Sequence, residues 1–326
     1  MIELSIQHDR FKIRGLFSIA RGSRTHADVV TVTLVEGDSV GQGECTPYAR
    51  YGETVESVIA EIEKVRPHLG AGLDRPTLQN LLPSGAARNA VDCALWDLEA
   101  KRSGTPAFQS AGLSALNSMT TAFTLSLDTP EKMAEAAYEN RHRPLLKVKL
   151  GGDGDPERLR AVCGHAGDAK IIVDANEAWA PENLWSWLDL AASLGVTLVE
   201  QPLPAAEDIM LADQAHVVPI CADESAHDRK GLDALKGRYD VVNIKLDKTG
   251  GLTEALAMKQ AARNAGFGVF VGCMMGSSLA MAPATLAAQD ADYVDLDAPL
   301  LLDEDRNPAL TFEGSTLNPP TPDLWG

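Results

Sequence analysis

Five ionisable residues, Lys149, Asp174, Glu200, Asp223 and Lys245, each end a short apolar run, and they follow one another at intervals of 25, 26, 23 and 22 residues. One strand, one loop and one helix consume about that much chain. The spacing therefore predicts successive βα units that each deliver a charged group to the same end of a parallel barrel. The runs, such as Leu145-Leu146-Lys147-Val148-Lys149 and Ile171-Ile172-Val173-Asp174, are apolar and β-branched enough to be strands buried on both faces. A single charge at such a place could cap a helix or sit in a solvated loop. Five in phase point to a site.

The remaining chain extends the pattern. Eight strand candidates follow residue 118, at 120–127, 145–150, 171–174, 196–200, 218–222, 241–245, 267–271 and 293–296, with helical stretches between them, for example 130–141, 156–165, 181–194 and 252–265. Pro130, Pro156 and Pro181 fall at helix starts, where a missing N–H is harmless. The expected fold class is α/β, a TIM-like (β/α)7β barrel. Residues 2–14, 29–36 and 40–45 read instead as strands of a small antiparallel sheet, the last two joined at Glu36-Gly37-Asp38-Ser39, with helical periodicity at 54–68 and 86–102. The expected domains are an N-terminal α+β capping domain over 1–112 and a catalytic barrel with its C-terminal segment over 113–326. They part around Gly104-Thr105-Pro106 and Gly112-Leu113-Ser114. Gly41-x-Gly43 and Gly250-Gly251 lack the spacing of a phosphate loop and read as turns.

Asp174, Glu200 and Asp223 come from three consecutive strands, so their carboxylates should be neighbours. An all-oxygen set without His or Cys suits a hard divalent cation, and Mg²⁺ is the expected one. Lys149 and Lys245, on the second and sixth strands, should flank the cation from opposite sides of the ring. A lysine serves as a base only when neutral. Lys147, two residues before Lys149 on the same strand face, is expected to help by disfavouring the charged form, and it counts among the substrate-side residues. Lys248 reads as a solvated loop charge. The arrangement suits proton abstraction beside a carboxylate, one lysine taking the hydrogen and the other returning it to the opposite face.

The formal charge of -17 argues against nucleic acid and anionic membranes as partners. The N-terminal residues lack a signal peptide's basic and apolar regions, and no run approaches the length of a membrane span. Five scattered cysteines without a Cys-x-x-Cys pair suggest neither a disulfide framework nor a zinc site, so a reducing cytoplasm is expected. Homo-oligomerisation is left open.

Lys147-Val148-Lys149, Asp174-Ala175-Asn176, Glu200-Gln201-Pro202, Ala222-Asp223-Glu224-Ser225 and Asn243-Ile244-Lys245 together resemble the enolase superfamily, in its muconate-lactonizing subgroup; Lys bases working with Mg²⁺ are a general feature of that superfamily. Residues 86–98 resemble the helix of its capping domain, so the likeness spans the whole chain. Within the subgroup, the segments 19–24, 43–48 and 245–257 and Asp295-Leu296-Asp297 are most similar to dipeptide epimerases of the L-Ala-D/L-Glu type. That resemblance implies a small-molecule dipeptide substrate, inversion at the α-carbon of its second residue, and a part in murein peptide metabolism. It also implies that Asp295 and Asp297 bind the substrate's α-ammonium. An arginine in a capping-domain loop, Arg24 or Arg21, would meet the side-chain carboxylate, and the loop Cys273-Met274-Met275, through Met274, would touch the substrate. Cycloisomerisation or N-acylamino acid racemisation by a member of the same superfamily, or a non-catalytic ligand-binding barrel, are the alternatives. The first two need no ammonium site, and the third needs no lysine on each face.

Overall fold

The computed structural model describes residues 2–326. Its first sheet is antiparallel, β1 (Glu3–Ile19), β2 (Gly22–Glu36) and β3 (Ser39–Cys45) in that order. The β1–β2 ribbon runs well beyond the expected ends at residues 14 and 29: after an irregularity between Lys12 and Phe17 the ladder resumes, with Phe17 opposite Arg24 and Ile19 opposite Gly22. The segment expected as a loop is therefore a hairpin tip. Gly15, Gly22 and the polar run 21–25 hid the strand, because the short apolar stretch 16–20 carries no sustained alternation and packs little of itself on a core.

Across β3 lies the helix Ala86–Ser103, with fourteen of its eighteen residues buried. Gly41 and Gly43, expected in a turn, sit inside β3 and let the backbones touch: a Cβ on Gly43 would stand 2.2 Å from the Ala90 carbonyl oxygen, and one on Gly41 2.3 Å from that of Ala94. Overpacking at such a contact costs about 1–3 kcal/mol, occasionally more. Gly43→Ala should therefore lower the melting temperature clearly, whereas Gly70→Ala, where the new methyl meets nothing within 4 Å, should leave it nearly unchanged. Equal melting temperatures for the two variants would contradict this account of the contact.

The short strand β4 (Met119–Thr120) precedes the barrel strands β5 (Phe123–Leu125), β6 (Leu145–Lys149), β7 (Lys170–Asp174), β8 (Leu198–Glu200), β9 (Ile220–Ala222), β10 (Val241–Ile244), β11 (Gly268–Val271) and β12 (Tyr293–Val294). These eight are parallel neighbours in chain order. The Ala122 N–H donates to the Val294 carbonyl (2.8 Å), joining the two ends of the curled sheet. The expected strand at 120–127 is thus divided, since β4 pairs with a C-terminal hairpin, β13 (Phe312–Glu313) and β14 (Thr316–Leu317), and only β5 enters the barrel. Helices join most barrel strands. Between β8 and β9 the only helical segment is the 3₁₀ turn Asp208–Asp213, in a connection where Pro202 and Pro204 disfavour helical backbone at the residues just before them.

The buried helix also ties the first sheet to the barrel. The Arg88 guanidinium donates to the Thr249 and Gly250 carbonyls (2.6 and 3.0 Å), capping the short helix Leu246–Thr249. Asn89 Nδ2 donates to Asp247 Oδ1 (2.8 Å), and Asp92 accepts the Thr253 N–H (2.9 Å). These bonds fix the loop that follows β10, the one that begins with Lys245.

Candidate active site

The parallel register sets Lys149 opposite Asp174 and Asp174 opposite Glu200, while Asp223 directly follows β9 and Lys245 directly follows β10. One carboxylate oxygen each from Asp174, Glu200 and Asp223 lies within 4.8 Å of the others, and all three side chains are buried. Buried like charges at that distance need counter-charge. It comes from lysines: Lys149 Nζ donates to Asp174 Oδ2 (2.6 Å), Lys245 Nζ to Asp223 Oδ2 (2.6 Å) and Lys248 Nζ to Asp223 Oδ1 (2.5 Å) and to the Asn243 carbonyl (2.9 Å). Burial alone would raise the Asp174 carboxyl, but Lys149 and Lys147 outweigh it and hold it at about 2. Burial is likewise overcome at Asp223 by Lys245 and Lys248, which keep it well below the usual range. Glu200 is pushed up, by burial and then by Asp174.

Lys147 differs from its expected part. Its ammonium lies 2.8 Å from Glu200, 2.8 Å from Asp295 and 3.5 Å from Asp174, only 1% exposed, under the cavity rather than on its wall. Burial tends to lower its pKa, but those carboxylates raise it well above the lysine value. Lys147 is thus placed as a counter-charge to the carboxylates. Lys248 is not the solvated charge expected either: its side chain is fully buried against Asp223.

Above the carboxylates opens a cavity to which the barrel contributes Lys149, Asp223, Lys245, Met274, Asp295 and Asp297, and the N-terminal sheet and its following loop contribute Arg21, Arg24 and Tyr48. Asp297 Oδ2 accepts the Thr124 N–H (2.6 Å). Burial and then the neighbouring Asp295 push the Asp297 carboxyl up to about 7. Asp295 gives one oxygen to Lys147, and its other oxygen is buried without a partner. These two adjacent acids therefore present one acceptor oxygen that no protein donor meets.

Arg21 and Arg24 part company. Arg21 donates to Glu224, Glu177, Tyr48 and the Asn176 carbonyl. Arg24 has no carboxylate partner among the described residues and stands 5.5 Å over the Tyr48 ring. Asn243, Glu224 and Asn176 were missed as site residues from the sequence. Asn243 Nδ2 donates to Glu200 Oε1 (2.6 Å), and the two-residue period from Lys245 was the signal that could have found it.

A model of the mandelate racemase / muconate lactonizing enzyme N-terminal domain matches residues 1–112, and one of the enolase C-terminal domain-like family matches residues 131–322. The chain belongs to the enolase superfamily, in its mandelate racemase / muconate lactonizing branch. The L-Ala-D/L-Glu epimerase of Escherichia coli strain K12 is 49% identical over 304 residues, covering 93% of this chain and 95% of the relative. The N-acetyl-D-glutamate racemase of a Pseudoalteromonas species is 43% identical, over 91% and 95% of the two chains. The crystal structure of an enolase family member from Agrobacterium tumefaciens, with homology to dipeptide epimerases and with bound sodium and L-Ala-L-Glu, is 54% identical, superposes with a TM-score of 0.99, and covers the whole of both chains. Three dipeptide epimerase structures at 27–30% identity and TM-scores of 0.88–0.90 hold Mg and a dipeptide.

Proposed function

We propose that this chain is an isomerase, a dipeptide epimerase that inverts the α-carbon of the second residue of L-Ala-D/L-Glu-like dipeptides by proton transfer between two lysines, Lys149 and Lys245, with Mg²⁺ as cofactor. The observation that carries this reading is that these lysines, from the second and sixth barrel strands, line one cavity with the buried acidic triad beside them. The relatives named as epimerases, and the dipeptides held by similar structures, support the same class of substrate.

The residues present fit a hard cation. Asp174, Glu200 and Asp223 offer only oxygen, their ligand atoms converge within 4.8 Å, and all three are buried. A divalent ion there would stabilise the negative charge that develops on the substrate carboxylate as the α-proton leaves. The chain's own groups do the rest. Lys149 and Lys245 exchange the α-proton from the two faces. Asp295 and Asp297 hold the α-ammonium, and the apolar Met274 bounds the site from the loop after β11. Arg24, which has no carboxylate partner among the described residues, meets the far carboxylate of a glutamate-like side chain. Residues 1–112 thus act as the specificity cap and 113–326 as the catalytic barrel. A role in recycling murein peptides in the cytoplasm accords with such a substrate.

N-acylamino acid racemisation is the second reading, favoured by the likeness to an N-acetyl-D-glutamate racemase. The unpartnered oxygen of Asp295 beside a second buried acid speaks for a cationic amine instead. A dipeptide library incubated in D₂O with Mg²⁺ and read by mass spectrometry tests the proposal: L-Ala-L-Glu should take up one deuterium at the second α-carbon. No uptake with any dipeptide, but uptake with N-acetylglutamate, would replace the first reading with the second. Exhaustive chelation should bring the exchange to background and added Mg²⁺ should restore it, and exchange that survives chelation would remove the metal from the reaction.

A further inference from the structure

Two arginines three residues apart reach the same cavity from one hairpin, yet only one is available to a substrate. Arg21 lies at the β1–β2 tip, between Ile19 and Gly22. Its Nη2 donates to Glu224 Oε1 (2.6 Å) and to the Tyr48 hydroxyl (3.0 Å), and its Nη1 to the Asn176 carbonyl (3.0 Å) and to Glu177 Oε2 (3.3 Å). A guanidinium has five N–H donors, and four are engaged here. Two carboxylates answer its single positive charge, so little of that charge remains for a ligand.

The partners are not arbitrary. Asn176 and Glu177 lie two and three residues beyond Asp174, and both hold left-handed backbone conformations, φ 48° and 66°, which side chains other than glycine rarely adopt. Arg21 bonds the carbonyl of the first and the carboxylate of the second. Glu224 adjoins Asp223, with a side chain only 1% exposed and one carboxylate oxygen that has no partner. A buried carboxylate next to the acidic triad is costly without a counter-charge, and Arg21, brought by the hairpin, supplies the one it is paired with. Arg50 grips Glu177 with two further bonds of 2.8 Å, so the segment after β3 is tied to the same loop. The ribbon also rests on the loop after β5, where the Leu127 N–H donates to the Ser18 carbonyl (3.0 Å).

We infer that Arg21 is a positioning residue: it clamps the β1–β2 hairpin onto the loops that follow Asp174 and Asp223, and so fixes Arg24 as the one arginine that reads the substrate's second side chain. This rests on the dipeptide epimerase reading. The clamp acts on every substrate alike, because it sets the cavity wall and touches no side chain of the ligand, whereas Arg24 acts only where a far carboxylate is present.

The test compares Arg21→Met, Glu177→Gln and Arg24→Met, each as the full-length protein with Mg²⁺. Amide hydrogen exchange over residues 15–26, and kcat and KM for L-Ala-L-Glu and L-Ala-L-Leu, are measured. Loss of one charged hydrogen bond corresponds to at least about tenfold, so Arg21→Met, which removes four bonds and two carboxylate contacts, should speed hairpin exchange by at least that factor, and Glu177→Gln, which keeps an acceptor but loses the charge, by less, with the barrel strands unchanged. Both should raise KM for the two dipeptides by a common factor. Arg24→Met should leave hairpin exchange as it was and raise KM for L-Ala-L-Glu alone. Unchanged hairpin exchange in Arg21→Met overturns the clamp, and a loss in Arg21→Met confined to L-Ala-L-Glu makes Arg21 a side-chain ligand instead. If the unaltered protein turns over no dipeptide, the epimerase reading fails by itself, and the exchange measurement still decides whether Arg21 clamps the hairpin.

Discussion

Replacing Lys149 or Lys245 by alanine should abolish epimerisation, with a loss on the order of 10²–10⁴-fold or more, the range that a positioned acid or base contributes. Inversion needs a proton removed from one face of the α-carbon and delivered to the other, and these lysines enter the one cavity from the second and sixth strands. The informative result is an asymmetry. Each variant keeps one lysine, so it should still exchange the α-proton of one epimer in D₂O while converting neither into the other. Lys149→Ala and Lys245→Ala should therefore retain exchange with opposite epimers. If both lose exchange equally for the two epimers, two-face transfer has no support, and the lysines would be left as counter-charges for the carboxylates they touch, Asp174 and Asp223.

The period of charged strand ends made the barrel and its acidic triad legible, because a parallel sheet converts sequence spacing into adjacency: Lys149, Asp174 and Glu200 stand side by side in register. What the spacing could not reveal was pairing among charges. Lys147 shares a strand face with Lys149, and from sequence it reads as a neighbour that would press on that lysine. In the fold three carboxylates surround it, two of them from strands adjacent to β6 or one further along and one, Asp295, from beyond β12 at the other side of the closed sheet. Closure of the ring brings residues 148 positions apart into contact, and no local pattern reports that.

The capping sheet was legible in part for a related reason. Val29 to Leu34 alternate with enough apolar side chains to declare a strand, whereas the hairpin tip from Gly15 to Arg24 is mostly exposed and has no buried face to pattern it. Its order comes from charged and backbone bonds to the barrel, so the distinction between Arg21 and Arg24 could be made only once Glu177 and Glu224 were seen beneath it. Gly41 and Gly43 illustrate the converse. Turns and close backbone approaches demand the same residue, and only the helix lying on β3 tells which demand applies.

Asp297→Asn should cut kcat/KM for free L-Ala-L-Glu by about 10²–10³-fold, the equivalent of the 2–5 kcal/mol lost when one partner of a desolvated charged pair is truncated. Asp297 is the cleaner of the two acids to change: its Thr124 bond can be kept by the amide oxygen of asparagine, while Asp295 also holds Lys147, which pairs with the acidic triad. N-acetylation of the dipeptide removes the opposite charge and should cost the unaltered protein a similar factor. The two losses should not add, since either one already destroys the ion pair. The pH dependence has a definite sign. An ammonium beside Asp297 favours the ionised carboxyl, which stands near 7 in the free protein. Below about pH 7 protonation of that carboxyl competes with binding, so KM for the free dipeptide should rise as pH falls from 7 to 5, and Asp297→Asn should flatten the rise. Equal turnover of free and N-acetylated dipeptides would sink the ammonium site and turn the assignment towards N-acylamino acids.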